Sequence, residues 1–214
     1  MNKYSNLLIS IAAALLFTIS GCSSFPDDPE DKLIFTDDFN RSSSATVGNG
    51  WLEDPNGSGC GPKDITGAIS KNMLYFDFVD AQSHAHVEYS IEGAIARLEY
   101  DYTPQFANDT LTSMYAQILF RDKEGKTLGT IQYFRVNEGY EPVATTPTFY
   151  QDYGTVPFDG TTQYVSIDAR KILNTLLTGV DPGKIATTAI QLTFSAGWCN
   201  TTARGYFDNV KVYE

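Results

Sequence analysis

Ala94-Ile95-Ala96-Arg97-Leu98-Glu99-Tyr100-Asp101-Tyr102 alternates along its length. Ile95, Arg97, Glu99 and Asp101 fall on one side of an extended chain, and Ala96, Leu98, Tyr100 and Tyr102 on the other. Successive side chains of a strand point to opposite faces, so this period of two predicts a strand with one buried face and one wet face. The same rhythm extends outward in both directions. Met73 to Val79 is apolar and aromatic, with Asp77 its only charge, and Ser113 to Arg121, Thr127 to Val136, Tyr164 to Ile167, Ala186 to Phe194 and Ala203 to Tyr213 read alike. Turn residues separate several of these: Asp122-Lys123-Glu124-Gly125, Asp181-Pro182-Gly183, and the loop Gly57-Ser58-Gly59-Cys60-Gly61-Pro62. Many short strands rich in Tyr and Phe predict an all-β fold, an antiparallel β-sandwich. One short helix interrupts the pattern. Asp168 is placed to cap its start, Ile172, Leu173, Leu176 and Leu177 form its apolar stripe, and Gly179 is placed to end it.

The N-terminal residues follow a different logic. Lys3 precedes an apolar run from Leu7 to Phe17, which is too short for a stable transmembrane helix but fits the hydrophobic region of a signal peptide. Ile19-Ser20-Gly21-Cys22 then resembles the bacterial lipobox, in which small residues admit the peptidase and the cysteine thiol accepts a lipid. This implies a signal peptide over 1–21 and acyl chains such as palmitate on Cys22, each buried methylene adding about 0.8 kcal/mol to bilayer anchoring. Ser23 rather than Asp after the lipid site resembles the sorting pattern for the outer membrane. Residues 22–32, acidic and broken by Pro26 and Pro29, read as an extended tether, and 33–214 as one folded domain.

The chain holds 15 Lys and Arg against 26 Asp and Glu. Loss of Lys3 with the signal peptide takes the net charge from -11 to -12. Such a body repels phosphate backbones, and no basic cluster with interleaved aromatics is present, so nucleic acid is not an expected partner. With Cys22 acylated, Cys60 and Cys199 remain as an even pair in an oxidising compartment, which predicts a disulfide. Free thiols or metal ligands are the other readings of that pair.

Phe35-Thr36-Asp37-Asp38-Phe39-Asn40-Arg41, followed by Val47-Gly48-Asn49-Gly50-Trp51, resembles the opening of concanavalin A-like jelly-roll domains of secreted bacterial proteins. Tyr206-Phe207-Asp208-Asn209-Val210-Lys211-Val212 is similar to the closing strand of that family. The resemblance implies two packed antiparallel sheets with the first and last strands adjacent. The family includes lectins, laminin G-like modules, carbohydrate-binding modules and laminarinase-type glycosidases, so fold does not fix function.

Asp208 interrupts a strand between apolar residues, and a partly buried carboxylate needs a cation or hydrogen-bond donors. Related jelly rolls often hold a structural calcium there, which the resemblance extends to Asp208 with Asp38 or Asp37. The alternative has Asp208 capping backbone amides and Asp38 pairing with Arg41. Glu99-Tyr100-Asp101 supplies two members of the laminarinase-type carboxylate motif, but Thr103 and Pro104 stand where its second Glu belongs. His84, His86 and Glu88 share one face of a strand, which reads as the solvent face of an edge strand, with a zinc or copper site lacking a third imidazole as the other reading. Aromatic residues with polar edges suit sugar rings, and Tyr133, Tyr140, Tyr150 and Tyr153 surround an irregular, Pro- and Gly-rich stretch read as a loop. They are the expected ligand-binding residues, with core packing as the competing reading.

The sequence thus predicts an envelope lipoprotein, anchored through Cys22, whose jelly roll binds a polysaccharide or other surface glycan without catalysing a reaction. The alternatives are a structural or adhesion protein that binds another envelope protein, and a hydrolase or lyase acting on glycans.

Overall fold

The computed structural model describes residues 31–60, 67–79, 82–108, 112–136, 146–152, 158–196 and 199–214, excluding the side chains at 54–60, 82–83, 134–136 and 152. The signal peptide, Cys22, most of the tether, Tyr140 and Tyr153 therefore lie outside the described residues.

Among the described residues the body, which begins at Asp31, has twelve strands, one α-helix and one short 3-10 turn at Pro182–Lys184. In chain order the strands are β1 (Leu33–Asp37), β2 (Leu52–Cys60), β3 (Ala68–Ser70), β4 (Met73–Phe78), β5 (Gln82–Glu92), β6 (Arg97–Ala107), β7 (Ser113–Arg121), β8 (Thr127–Val136), β9 (Thr148–Asp152), β10 (Gln163–Asp168), β11 (Thr187–Ala196) and β12 (Ala203–Tyr213). They form two six-stranded sheets. The first runs β10-β6-β12-β4-β3, and β1 shares an edge of β12 with β4. The second runs β2-β5-β11-β7-β8-β9. Pairing is antiparallel throughout except between β8 and β9.

Alternation builds the core between the sheets. Leu74, Phe76, Phe78, Leu98, Tyr100, Phe207, Val210 and Val212 turn inward from the first sheet. Ala85, Val87, Ile118, Phe120, Ile131, Ile190, Leu192 and Phe194 meet them from the second. The rings interlock: Phe78 stacks on Phe194 at 5.0 Å, and Phe76 meets Phe207 edge-on at 6.0 Å. The predicted opening and closing strands do pair, with Asp37 opposite Val210.

Three expectations need correction. The Pro- and Gly-rich stretch after β8 contains a strand, β9, because parallel pairing to Thr130–Phe134 supplies the hydrogen bonds that local propensity does not. The strand carrying His84 and His86 is internal, lying between β2 and β11. The helix α1 (Ala169–Thr175) is capped by Asp168, whose Oδ1 accepts from the Lys171 amide at 2.8 Å. It buries Ile172, Leu173 and Leu177 but leaves Leu176 56% exposed, since the helix ends before Leu176 can join its stripe.

Candidate functional site

Two clusters of polar side chains stand out. The first is structural. Asp37, 3% exposed at the end of β1, accepts from the Phe39 amide (2.8 Å), both terminal nitrogens of Arg41 (2.7 and 3.0 Å), Asn49 Nδ2 (3.0 Å) and Trp51 Nε1 (2.9 Å). Burial pushes its carboxyl up, but donors from Arg41, Asn49, Phe39 and Trp51 outweigh that and hold it below the usual carboxylate range. The opening motif therefore closes on itself. Arg41 pairs with Asp37, not with Asp38 as the alternative reading had it, and Asp38 instead accepts from the Asn40 amide at 3.1 Å.

Asp208 sits half-buried on β12 with no such compensation. Burial, followed by the charges of Asp101, Asp38 and Asp37, pushes its carboxyl up, opposed by a hydrogen bond from the Asn209 amide. Asp37 is occupied by donors, so it is not available to a metal. Asp208 and Asp38 offer hard oxygen atoms, Asp208 accepting from the Asn209 amide and Asp38 from the Asn40 amide, and the charge of Asp38 adds to the upward push on Asp208. Among the described residues, no group of three or more His, Cys, Asp or Glu side chains is arranged to hold a metal ion.

The second cluster covers the outer face of the second sheet. Strand register sets Leu52, Glu88, Gln191, Gln117, Gln132 and Tyr150 in one row across β2, β5, β11, β7, β8 and β9. The adjacent row runs Asp54, His86, Thr193, Tyr115, Phe134 and Asp152 by register. Adjacent strands lie about 4.8 Å apart, so each row sets residues at close, even intervals. The middle of this face is polar and partly sheltered from solvent: Gln117 and Gln191 are half-buried, Gln132 is 6% exposed and Thr193 2%.

Its side chains are tied together. Gln117 Nε2 donates to Gln132 Oε1 at 3.0 Å. Arg121 grips Glu88 with two bonds, at 2.7 and 2.8 Å, and Gln191 Nε2 donates to Glu88 Oε2 at 2.8 Å. Burial raises the Glu88 carboxyl, but these Arg121 and Gln191 bonds overcome it and hold it below its ordinary value. The His84 and His86 rings lie nearly parallel at 6.4 Å beside it. A neutral carboxamide floor beside a charge-compensated carboxylate can donate to and accept from sugar hydroxyls without a net charge of its own.

The structure separates the tyrosines expected to act together. Tyr150 belongs to the outer row. Tyr133 faces the interior, packed against the core with its ring 6.2 Å from that of Phe149. Glu99 and Asp101 lie on the outer face of the first sheet, bound by Tyr213 Oη (3.0 Å) and Asn209 Nδ2 (2.8 Å) respectively. Gln117 and Gln191 were missed by sequence reasoning. Their signal is a polar residue at the centre of an otherwise apolar strand. Cys199 is disulfide-bonded, and register places the backbone of Cys60 at the same end of the second sheet.

No family model matches the chain, and no curated protein sequence matches it. Among solved structures it is similar to the xyloglucanase domain of NopAA, a type three effector from Sinorhizobium fredii, at 12% identity and a TM-score of 0.52, over 85% of this chain and 99% of that one. A carbohydrate-binding module, TmCBM27, known for mannan recognition, matches at 13% identity and a TM-score of 0.45, over 87% of this chain and 99% of that one. The enzymatically active domain of bacteriophage CBA120 tailspike protein 4 matches at 14% identity and a TM-score of 0.41, over 77% of this chain but 19% of that one. The expectation that this domain is non-catalytic is corrected: its fold is shared with the xyloglucanase domain of NopAA and so does not exclude catalysis. The incomplete motif at Glu99 spoke only to one family's carboxylate arrangement. The chain is a jelly-roll β-sandwich, a fold shared by glycan-active and carbohydrate-binding domains.

Proposed function

We propose that this protein takes hold of a polysaccharide on the outer face of its second sheet, the chain lying across the row Glu88, Gln191, Gln117, Gln132 and Tyr150. The observation that carries the reading is the row of half-buried, hydrogen-bonded carboxamides. Gln117 and Gln191 are half-buried and Gln132 is 6% exposed on a face that points away from the core, so their carboxamides form an ordered polar floor that is partly open to a ligand. Tyr150 at its end offers a ring for a sugar face. The mannan recognition of TmCBM27 and the xyloglucanase domain of NopAA lend context to a glycan ligand.

The proposal extends to the setting of the domain. A lipid on Cys22 would anchor it in the cell envelope, at the outer membrane, and Cys60 would pair with Cys199. A calcium ion on Asp208 and Asp38 would relieve the repulsion at the first sheet.

A glycan array with the purified protein tests the reading, with reducing-sugar release measured on every polysaccharide that binds. Retention of at least one polysaccharide supports it. Retention of none, together with co-purification of one envelope protein, would turn the assignment to a structural or adhesion role.

A further inference from the structure

The amide nitrogen of Gln191 is held from two sides. It lies 2.8 Å from Glu88 Oε2 and 3.3 Å from His86 Nε2. Glu88 is an ionised carboxylate that can only accept, so it fixes which end of the carboxamide faces it: the nitrogen. That nitrogen then brings its second hydrogen to His86, whose Nε2 must answer with a lone pair. This contact is a hydrogen bond only for the neutral imidazole with its proton on Nδ1. Arg121 completes the arrangement by anchoring Glu88 through both oxygens.

The charged and titratable groups around His86 come from its own strand and from two others. His84 and Glu88 stand on β5, Arg121 on β7 reaches Glu88, and Asp54 on β2 is opposite His86 in register. From β11 the facing residues, Gln191 and Thr193, carry no charge.

We infer that His86 is a proton-operated latch on Gln191, so that the polar floor of the second sheet is ordered when the imidazole is neutral and loosened when it is charged. Protonation places an N–H where the lone pair was, and two donors then face each other at the 3.3 Å contact. Gln191 cannot answer by turning over, because its carbonyl oxygen would then meet Glu88 Oε2 in place of the nitrogen now 2.8 Å away. The contact opens. The charged imidazole is drawn instead to the Glu88 carboxylate two residues along the same face, in competition with Gln191. The consequence for glycan binding rests on the function proposed above: the hold weakens by about threefold to tenfold in mild acid, the worth of one ordered hydrogen-bonding group.

The test uses the full chain, labelled with 15N, in detergent. The His86 ring and Gln191 side-chain amide resonances are followed from about pH 8 to about pH 5, which brackets the ordinary imidazole range. The latch predicts that both sets move with one midpoint and that the Gln191 change is lost in His86→Phe. Titration of His86 with Gln191 unmoved would overturn it, as would an undiminished Gln191 change in His86→Phe. Gel retardation by a bound polysaccharide at the two pH limits forms a second arm. Equal retardation at both would refute the link to binding. Absence of retardation at either counts against the glycan reading, and the resonances alone then decide the latch.

Discussion

The indole nitrogen of Trp51 donates to Oδ2 of Asp37 at 2.9 Å, tying the start of β2 to the end of β1 across fourteen residues. Phe35, Phe39 and Tyr89 pack around that indole, with Phe35 stacked on Tyr89 at 3.9 Å. The carboxylate thus sits within an aromatic wall and is satisfied only by the donors the opening motif brings to it.

Asp37→Ala leaves the two terminal nitrogens of Arg41, the Trp51 indole and the Asn49 amide without their Asp37 acceptor, while Arg41 Nε keeps the Val47 carbonyl. The expected loss is about 3–5 kcal/mol, the usual consequence of breaking a buried ion pair from one side. Urea unfolding measures it. Because the Asp37 carboxyl is held below its ordinary value, its contribution is fully present above the unfolded carboxyl range and is lost as pH falls through the folded value. Glu88 acts in the same sense, its carboxyl also being lowered.

Asp208 runs the other way. Its carboxyl is raised, so the folded state binds a proton more readily than the unfolded chain, and this group destabilises the fold above its folded value. Removing its charge should therefore help in metal-free buffer. Asp208→Asn is expected to raise the melting temperature after chelation, while added calcium raises that of the parent and leaves the variant unchanged. A parent protein indifferent to both calcium and chelator would argue against the ion.

Gly205 on β12 faces the core. A Cβ there would overlap the sulfur of Met114 and come within 2.9 Å of Phe194 Cε2. Gly205→Ala is expected to cost about 1–3 kcal/mol through overpacking, read from the urea midpoint. An unchanged midpoint would mean that β12 packs less closely on the second sheet than described.

Tyr133→Ala and Tyr150→Ala should part company. Loss of the inward Tyr133 ring removes core packing and is expected to lower stability by about 2–4 kcal/mol. Loss of Tyr150 is expected to leave the unfolding midpoint nearly unchanged and to weaken polysaccharide retardation.

The sequence made some of this legible and hid the rest for identifiable reasons. β7, β8 and β12 run over Ser113–Arg121, Thr127–Val136 and Ala203–Tyr213, the ranges their alternation predicts. β2 and β9 were hidden because Gly57, Gly59 and the prolines around Tyr150 signal turns, and only the neighbouring strands make those segments extended. The same limit governs the candidate site. Period two sets the faces of Gln117, Gln132 and Gln191, but their meeting depends on the order β11-β7-β8, which no local pattern encodes. Tyr133 shows the converse: it belongs to the aromatic supply that suggested a sugar site, yet one step of register turns it inward beside Ile131.

The most direct test compares polysaccharide gel retardation of variants on the two faces. Gln117→Ala and Gln132→Ala alter the outer row of the second sheet, and Tyr164→Ala removes a ring 65% exposed on the first. The second-sheet site predicts that both glutamine variants fold normally and lose retardation while Tyr164→Ala keeps it. Retardation untouched by the glutamine changes and abolished by Tyr164→Ala would contradict it.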